Sequence, residues 1–291
     1  MIISHAAANL VQIDEIKERI KKIPNPILPY EEELKLVDAL SEFPLGRFLL
    51  ANKGLNGYWT SYVILHGLKK HDLHPLEKWL LNSAPGFKAT QHRFNIFQQI
   101  LQKLITNGCH LASIPCGLMD DLLTLDFSEC IEYHLTGIDL DQESIELAAQ
   151  NAKDNNVQNV SFIKCNAWDL NLKGKFDVIT SNGLNIYEQD SNNVTNLYKQ
   201  FYSALNNSGY LVTSFITPPP LLNQVSSWKL QNPDDAVKQA AIFTDILQAG
   251  WQCYRTEDES REQLKAAGFI VESVIYDPQN IFPTILAKKQ D

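Results

Sequence analysis

The sequence is short of several things, and each shortage excludes a class of protein. Its 291 residues hold five cysteines (Cys109, Cys116, Cys130, Cys165 and Cys253), an odd number with no Cys-x-x-Cys pair. Thiols spaced so widely argue against a disulfide framework or a zinc cage and predict reduced cysteines in a cytoplasmic setting. Basic residues are outnumbered, 25 Lys and Arg against 34 Asp and Glu, giving a formal net charge of −9. The basic clusters around Lys17–Lys22 and at Lys69-Lys70 are short and read as solvated helix faces, so no nucleic-acid partner is expected. No run of about 18 apolar residues occurs, so no membrane-spanning segment is expected. The opening MIISHAAANLVQIDEIKERIKK lacks a basic region followed by a sustained apolar core, so no signal peptide is expected either. Glycine is scarce where it would matter most. The stretch LASIPCGLMDDL, residues 111–122, has the look of a strand running into a ligand-binding turn, yet Gly117 is its one glycine.

What is present suits one large domain or a domain with an appendage, with 44% hydrophobic residues. Up to about residue 107 the periodicity is helical. Leu10, Ile13, Ile16 and Ile20 share a face, and YEEELKLVDALSEF carries acids in its first turn, where the helix dipole favours them. PLEKWLLNSAPG and QHRFNIFQQILQKLITNG predict two more helices, the second with a wide apolar stripe ended by Asn107-Gly108.

Beyond residue 107 strands and helices alternate. The predicted strands are HLASIP, EYHLTGIDL, VSFIKCN, FDVITSN, YLVTSFI, FIVESVIYD and PTILAKK. Between them lie DQESIELAAQNAKDNN, TNLYKQFYSALNNSG and ESREQLKAAG as helices. This alternation predicts an α/β fold, a doubly wound and mostly parallel sheet covered on both faces. The last two strands, joined through Asp277-Pro278, leave no room for a crossover helix, so one must pair antiparallel. Residues 217–257 form a long excursion beginning TPPP and carrying Trp228, Trp251 and Tyr254, which reads as a lid-like insertion. The expected organisation is a helical cap over 1–90 and a binding domain over 91–291.

Ligands of doubly wound sheets sit outside the carboxyl ends of the strands. Asp139 ends the second strand about twenty residues past the first turn, a place suited to accepting hydrogen bonds from a ribose diol. Asp141 just beyond it is better suited to capping the next helix. Asn166 after the third strand could read the amino edge of a purine or simply make a turn. Ser181, Asn182 and Gly183 would line the mouth after the fourth strand, with Tyr187 and Glu188 within reach of a substrate. His66, His71 and His74 crowd one segment, but spacings of five and three share no clean helix face with an acid, so no metal site is expected.

With these positions laid out, residues 90–290 resemble the class I S-adenosylmethionine-dependent methyltransferases. The resemblance rests on ASIPCGLMDDL, TGIDLDQESIELAAQNA, VSFIKCNAWDL, FDVITSNGLNIYE and LKAAGF ahead of the final strand pair. It implies S-adenosylmethionine as cofactor. Pro115, Cys116 and Gly117 would pass beneath its methionine part, Asp139 would take the ribose, and Leu140 would lie against the adenine. Asn166 and Ala167 would meet the adenine edge, and Ser181 and Asn182 would flank the sulfonium. Arg93 or Tyr58 would hold the cofactor carboxylate, although for Arg93 a surface salt bridge is an equal reading. Two departures stand out: Pro115 and Met119 replace customary glycines, and Asn166 stands where Asp is typical. The cofactor carries no phosphate, so one point of close backbone approach at Gly117 is enough.

The expected reaction is methyl transfer to a small molecule, with Tyr187, Glu188 and His92 as candidate catalytic groups and a monomer or homodimer as the working form. A non-catalytic relative that keeps the fold is the alternative, motivated by the depleted loop. A nicotinamide enzyme is disfavoured, because Gly-x-Gly-x-x-Gly is missing.

Overall fold

A computed structural model describes residues 13–220, 222, 225–250 and 252–290. Leu10, the opening MIISHAAANLVQ and Trp251 therefore lie outside the described residues. The chain divides into two compact units, one of residues 1–88 with 229–251 and one of residues 89–228 with 252–291. Of the 217–257 excursion, 229–251 thus folds with the N-terminal helices, while its two flanks belong with the sheet.

The first unit is helical. It contains α1 (Ile13–Ile20), α2 (Tyr30–Ser41), α3 (Pro44–Asn52), α4 (Gly57–Ser61) and α5 (Pro75–Asn82). Helix α6 (Pro85–Leu104) begins in this unit and continues into the second. It starts six residues before the predicted point, at a proline that suits a first helical turn, and ends short of Asn107-Gly108. Val37, Leu40, Leu45, Leu49, Leu80 and Leu81 are fully buried in the unit's core, joined there by Ile242 and Ile246. The buried carboxyl group of Glu33 and the half-buried one of Asp245 also meet in this unit. Ile27 N donates to Asp245 at 2.8 Å and Leu28 N to Glu33 at 3.1 Å. Burial, with Asp245 alongside, pushes the Glu33 carboxyl up to about 7.

The second unit is a seven-stranded sheet. Its strands are β1 (Cys109–Ser113), β2 (Tyr133–Asp139), β3 (Val160–Lys164), β4 (Phe176–Ser181), β5 (Leu205–Ser214), β6 (Phe269–Ile275) and β7 (Thr284–Lys289), in the order β3-β2-β1-β4-β5-β7-β6. β1 to β5 pair in parallel, and β7 runs antiparallel between β5 and β6. The helices are α7 (Asp120–Leu123), α8 (Gln142–Asp154), α9 (Ser191–Ala204) and α11 (Glu257–Ala266), with α10 (Pro233–Ala240) belonging to the first unit.

Period-two burial explains the layering. Leu111, Val178 and Val212 pack on one face with Phe97 and Leu101 of α6 and Ala148 of α8. Their chain neighbours Ala112, Ile179 and Leu211 pack on the other with Leu197 and Phe201 of α9 and Leu264 of α11. The predicted helix TNLYKQFYSALNNSG ends earlier than its sequence suggests. Strand pairing begins at Leu205, and an irregular register opposite Phe176 and Val178 accommodates Asn206–Gly209, with Ser208 at φ 57°.

Candidate functional site

Three strand ends meet where β1 gives way to its turn. Ile114 N donates to Thr180 O of β4 at 2.9 Å, and Cys116 N donates to Ile138 O of β2 at 2.9 Å, so the turn is sewn to both neighbours. Gly117 has φ 49° and Met119 φ 60°, both left-handed. A buried methionine thus adopts the conformation that a glycine would take more easily, a cost of about 1 kcal/mol or more. The peptide Ile114-Pro115 is cis.

Asp139 stands at the end of β2. Its Oδ2 accepts from Gly117 N at 3.0 Å and its Oδ1 from Asp141 N at 3.0 Å. The acid and the turn glycine singled out in the sequence are therefore in direct contact. Asp141 caps α8, accepting from Glu143 N, Ser144 N and Ser144 Oγ. Leu140 is 62% exposed beside it, an apolar surface that nothing in the fold uses. Asn166 makes the turn of its structural reading, with Oδ1 accepting from Trp168 N at 3.1 Å, and Ala167 next to it is buried. A second lone pair on that oxygen stays open for another donor. Burial pushes the Cys116 thiol up, and Asp139 and Asp121 add to the shift, so this cysteine is inert packing beneath the turn.

The other side of the mouth is built around a cation. Arg93 is 6% exposed, and its Nη1 donates to Ser214 Oγ at the end of β5 at 3.3 Å. Its guanidinium carbon lies 4.4 Å from the ring centroid of Phe282. A Cβ added at Gly183 (φ 87°) would come 3.5 Å from Nη1, which places the turn after β4 against the same group. No acid among the described residues forms a salt bridge with Arg93 within 4 Å, so the surface ion pair among the sequence readings is not formed with any of them. Among the described residues its buried Nε has no hydrogen-bond partner, and neither does the buried Oδ1 of Asn182. Burial lowers the Arg93 pKa to about 10, opposed by the charge of Asp277. Asp277 in turn is tied down by the backbone N–H groups of Gln279, Ile281 and Phe282. These orphaned donors and acceptors are what a ligand with a carboxylate and a polar edge would satisfy.

The remaining candidates are spread around this mouth and away from it. Ser181 is buried at the end of β4, and Tyr187 is 51% exposed in the turn beyond it. Glu188 spends its carboxylate on the start of α9, with Oε1 accepting from Asp190 N at 2.8 Å and Oε2 from Asn193 Nδ2 at 3.1 Å. Its backbone carbonyl accepts from Arg255, whose Nη1 also holds the carbonyls of Asn185 and Cys253. His92 Nδ1 is 2.8 Å from Gln279 Oε1. Tyr58 lies in the helical unit, edge-on to Trp59. Among the histidines of that unit, His74 accepts from Leu76 N and faces Glu42 at 3.1 Å. Among the described residues, no three metal-binding side chains converge.

Asp121 was not anticipated from the sequence. Ser113 Oγ donates to its two oxygens at 3.0 and 2.9 Å, so the acid underpins the turn from inside α7. The available signal was two adjacent acids in an otherwise apolar stretch, which reads as an exposed helix start. Asp277 was noticed only as a turn residue before proline.

A sheet in this order, with its mouth at β1, β2 and β4 and an antiparallel last strand, is the class I S-adenosylmethionine-dependent methyltransferase architecture that the sequence resembles. The family described as methyltransferase domain matches residues 106–268, more than half of the chain. The chain belongs to that family. A possible exported protein from Bordetella parapertussis, known as a crystal structure, is 37% identical, covering 100% of this chain and 99% of its own, with a TM-score of 0.92. Magnesium protoporphyrin IX methyltransferase from Synechocystis, in a structure with bound SAH, is 12% identical over 80% of this chain and 99% of its own. Its TM-score of 0.53 shows a shared fold. No curated protein sequence matches the chain. Among the described residues, no helix is long and apolar enough to cross a membrane.

Proposed function

We propose that the protein binds S-adenosylmethionine across the ends of β1, β2 and β4 and transfers its methyl group to a small-molecule acceptor. The observation that carries this reading is the Asp139 carboxylate held 3.0 Å from Gly117 N, which puts a diol acceptor and a close-approach glycine in one place. The departures at Pro115 and Met119 leave that juxtaposition intact. The orphaned Arg93 Nε and Asn182 Oδ1 support a ligand that brings both a carboxylate and a donor.

Asp139 takes the ribose hydroxyls, Leu140 covers the adenine, and Asn166 with Ala167 borders its edge. Pro115, Cys116 and Gly117 run beneath the methionine part, and Arg93 holds its carboxylate. Ser181 and Asn182 flank the reacting centre. The cofactor, when bound, supplies a methyl group already activated on a sulfonium, so the protein's contribution is orientation and exclusion of water. Tyr187 meets the acceptor. His92, with Nδ1 donating to Gln279, keeps Nε2 as a proton acceptor for it. Glu188, already engaged at the start of α9, acts by fixing the Tyr187 turn. Thr217 and Trp228, joined by a hydrogen bond from Trp228 Nε1 to Thr217 Oγ1 at 2.9 Å, wall the acceptor side. The net charge of −9 supports an acceptor other than nucleic acid. The free thiols support a cytoplasmic protein.

Thermal-shift measurement tests the reading. Both S-adenosylmethionine and its demethylated product should raise the melting temperature by several degrees, whereas NAD should not. No stabilisation by either sulfur ligand at millimolar concentration overturns it.

A further inference from the structure

Asp121 is a buried titratable group at the mouth for which the proposed reaction has no use. Its carboxyl is 7% exposed, and both oxygens share a single donor, the hydroxyl of Ser113. Burial raises it to about 7, with the Ser113 and Thr180 hydroxyls acting the other way. The groups around it are acidic or neutral. Asp120 on its own helix adds negative charge and is itself bonded by Asn151 Nδ2 of α8 at 2.9 Å. From the turn, the Cys116 thiol feels both Asp121 and Asp139 of β2. Helix α6 contributes the neutral Gln98, bonding the Asp121 carbonyl at 2.6 Å. β4 contributes Thr180, whose buried hydroxyl completes no hydrogen bond among the described residues yet favours the ionised Asp121 carboxyl.

A negative charge in this setting has no cation among the described residues to compensate it, so the carboxyl keeps its proton in the empty protein. A positively charged ligand arriving above the turn changes the balance. The same burial that penalises the lone carboxylate then strengthens its attraction for the cation. We propose that Asp121 is the counter-charge for the cationic cofactor, giving up its proton when the sulfonium binds, so that the site holds the charged methyl donor more tightly than the neutral thioether product. The proton goes to solvent and no bond to carbon or sulfur is made or broken. This rests on the cofactor reading above and adds to it a means of relieving product inhibition.

Calorimetric titration at pH 6, repeated in buffers of different ionisation enthalpy, reads the proton directly. Wild-type protein should release most of one proton on binding S-adenosylmethionine and clearly less on binding the demethylated product. Asp121→Asn keeps an acceptor for Ser113 but cannot ionise. It should abolish that difference and lower the preference for the charged ligand at pH 8 by about tenfold. Infrared difference spectra of the wild type give a second readout that does not depend on how the variant folds. The band of a protonated buried carboxyl should disappear with the sulfonium ligand and persist with the thioether. Equal proton release for the two ligands, or a band that the sulfonium leaves unchanged, overturns the role of Asp121 alone. Absence of binding by either ligand to the wild type overturns the cofactor reading and this proposal with it.

Discussion

The two sides of the mouth are built on opposite principles. On the β1–β2 side every oxygen of Asp139 and Asp121 is engaged, by Gly117 N, Asp141 N and Ser113 Oγ. On the β4–β5 side Arg93 is as deeply buried, yet it has one 3.3 Å hydrogen bond, an aromatic face and an idle Nε. The acid side is shaped in advance by its own turn. The cation side holds polar capacity in reserve, at a cost to the empty fold, and that reserve is what a ligand can use.

Four experiments can break or sharpen this contrast. The largest effect is expected on stability as a function of pH. Asp121 has a native value of about 7 against an ordinary value of 3.8, so the folded state binds more protons between those values. Stability therefore falls as pH rises through that window and levels off above it. Asp121→Asn escapes the loss and should exceed wild type by about 2–4 kcal/mol at pH 8, with little difference near pH 4, in urea unfolding followed at both values. Next comes Arg93→Leu, which removes a buried and poorly satisfied cation. Its melting temperature should hold or rise while cofactor affinity falls about a hundredfold, roughly 2.7 kcal/mol. A large loss of stability would mean that Arg93 is fully satisfied in the empty protein and that the two sides are alike. Asp139→Ala should weaken the cofactor by more than tenfold, about 1.4 kcal/mol or more, and unchanged affinity would remove Asp139 from the site. Last comes Met119→Gly. Relief at φ 60°, about 1 kcal/mol, offsets only part of the roughly 2–5 kcal/mol lost with a fully buried side chain, so urea unfolding should show a net loss of about 1–3 kcal/mol.

The acid side was legible in the sequence where the cation side was not, for a physical reason. Asp139 sits at a fixed distance along the chain from its turn, so spacing alone brings it to Gly117. The seven strands and their antiparallel ending were legible in the same way, because alternation and a short Asp277-Pro278 link are local signals. Arg93, Ser214 and the pair Asp277 and Phe282 come from three separate elements, α6, β5 and the β6–β7 turn, and only the pairing of β7 between β5 and β6 assembles them. Arg93 could be singled out as a candidate but not told from an ordinary surface arginine, since burial is a property of the assembled sheet. Asp121 was hidden by its partner. One of two adjacent acids at a helix start looks exposed until the Ser113 hydroxyl is seen beneath it.

The strand order also has a consequence in time. β7 is the last strand in the chain but an interior one in the sheet, filling the slot between β5 and β6. During synthesis β6 has no place to dock until β7 has emerged behind it, and the turn joining them carries Asp277, Gln279 and Phe282. The half of the mouth around Arg93 is therefore finished last, and a nascent chain with β1 to β5 already paired still lacks the Phe282 ring against which the Arg93 guanidinium packs.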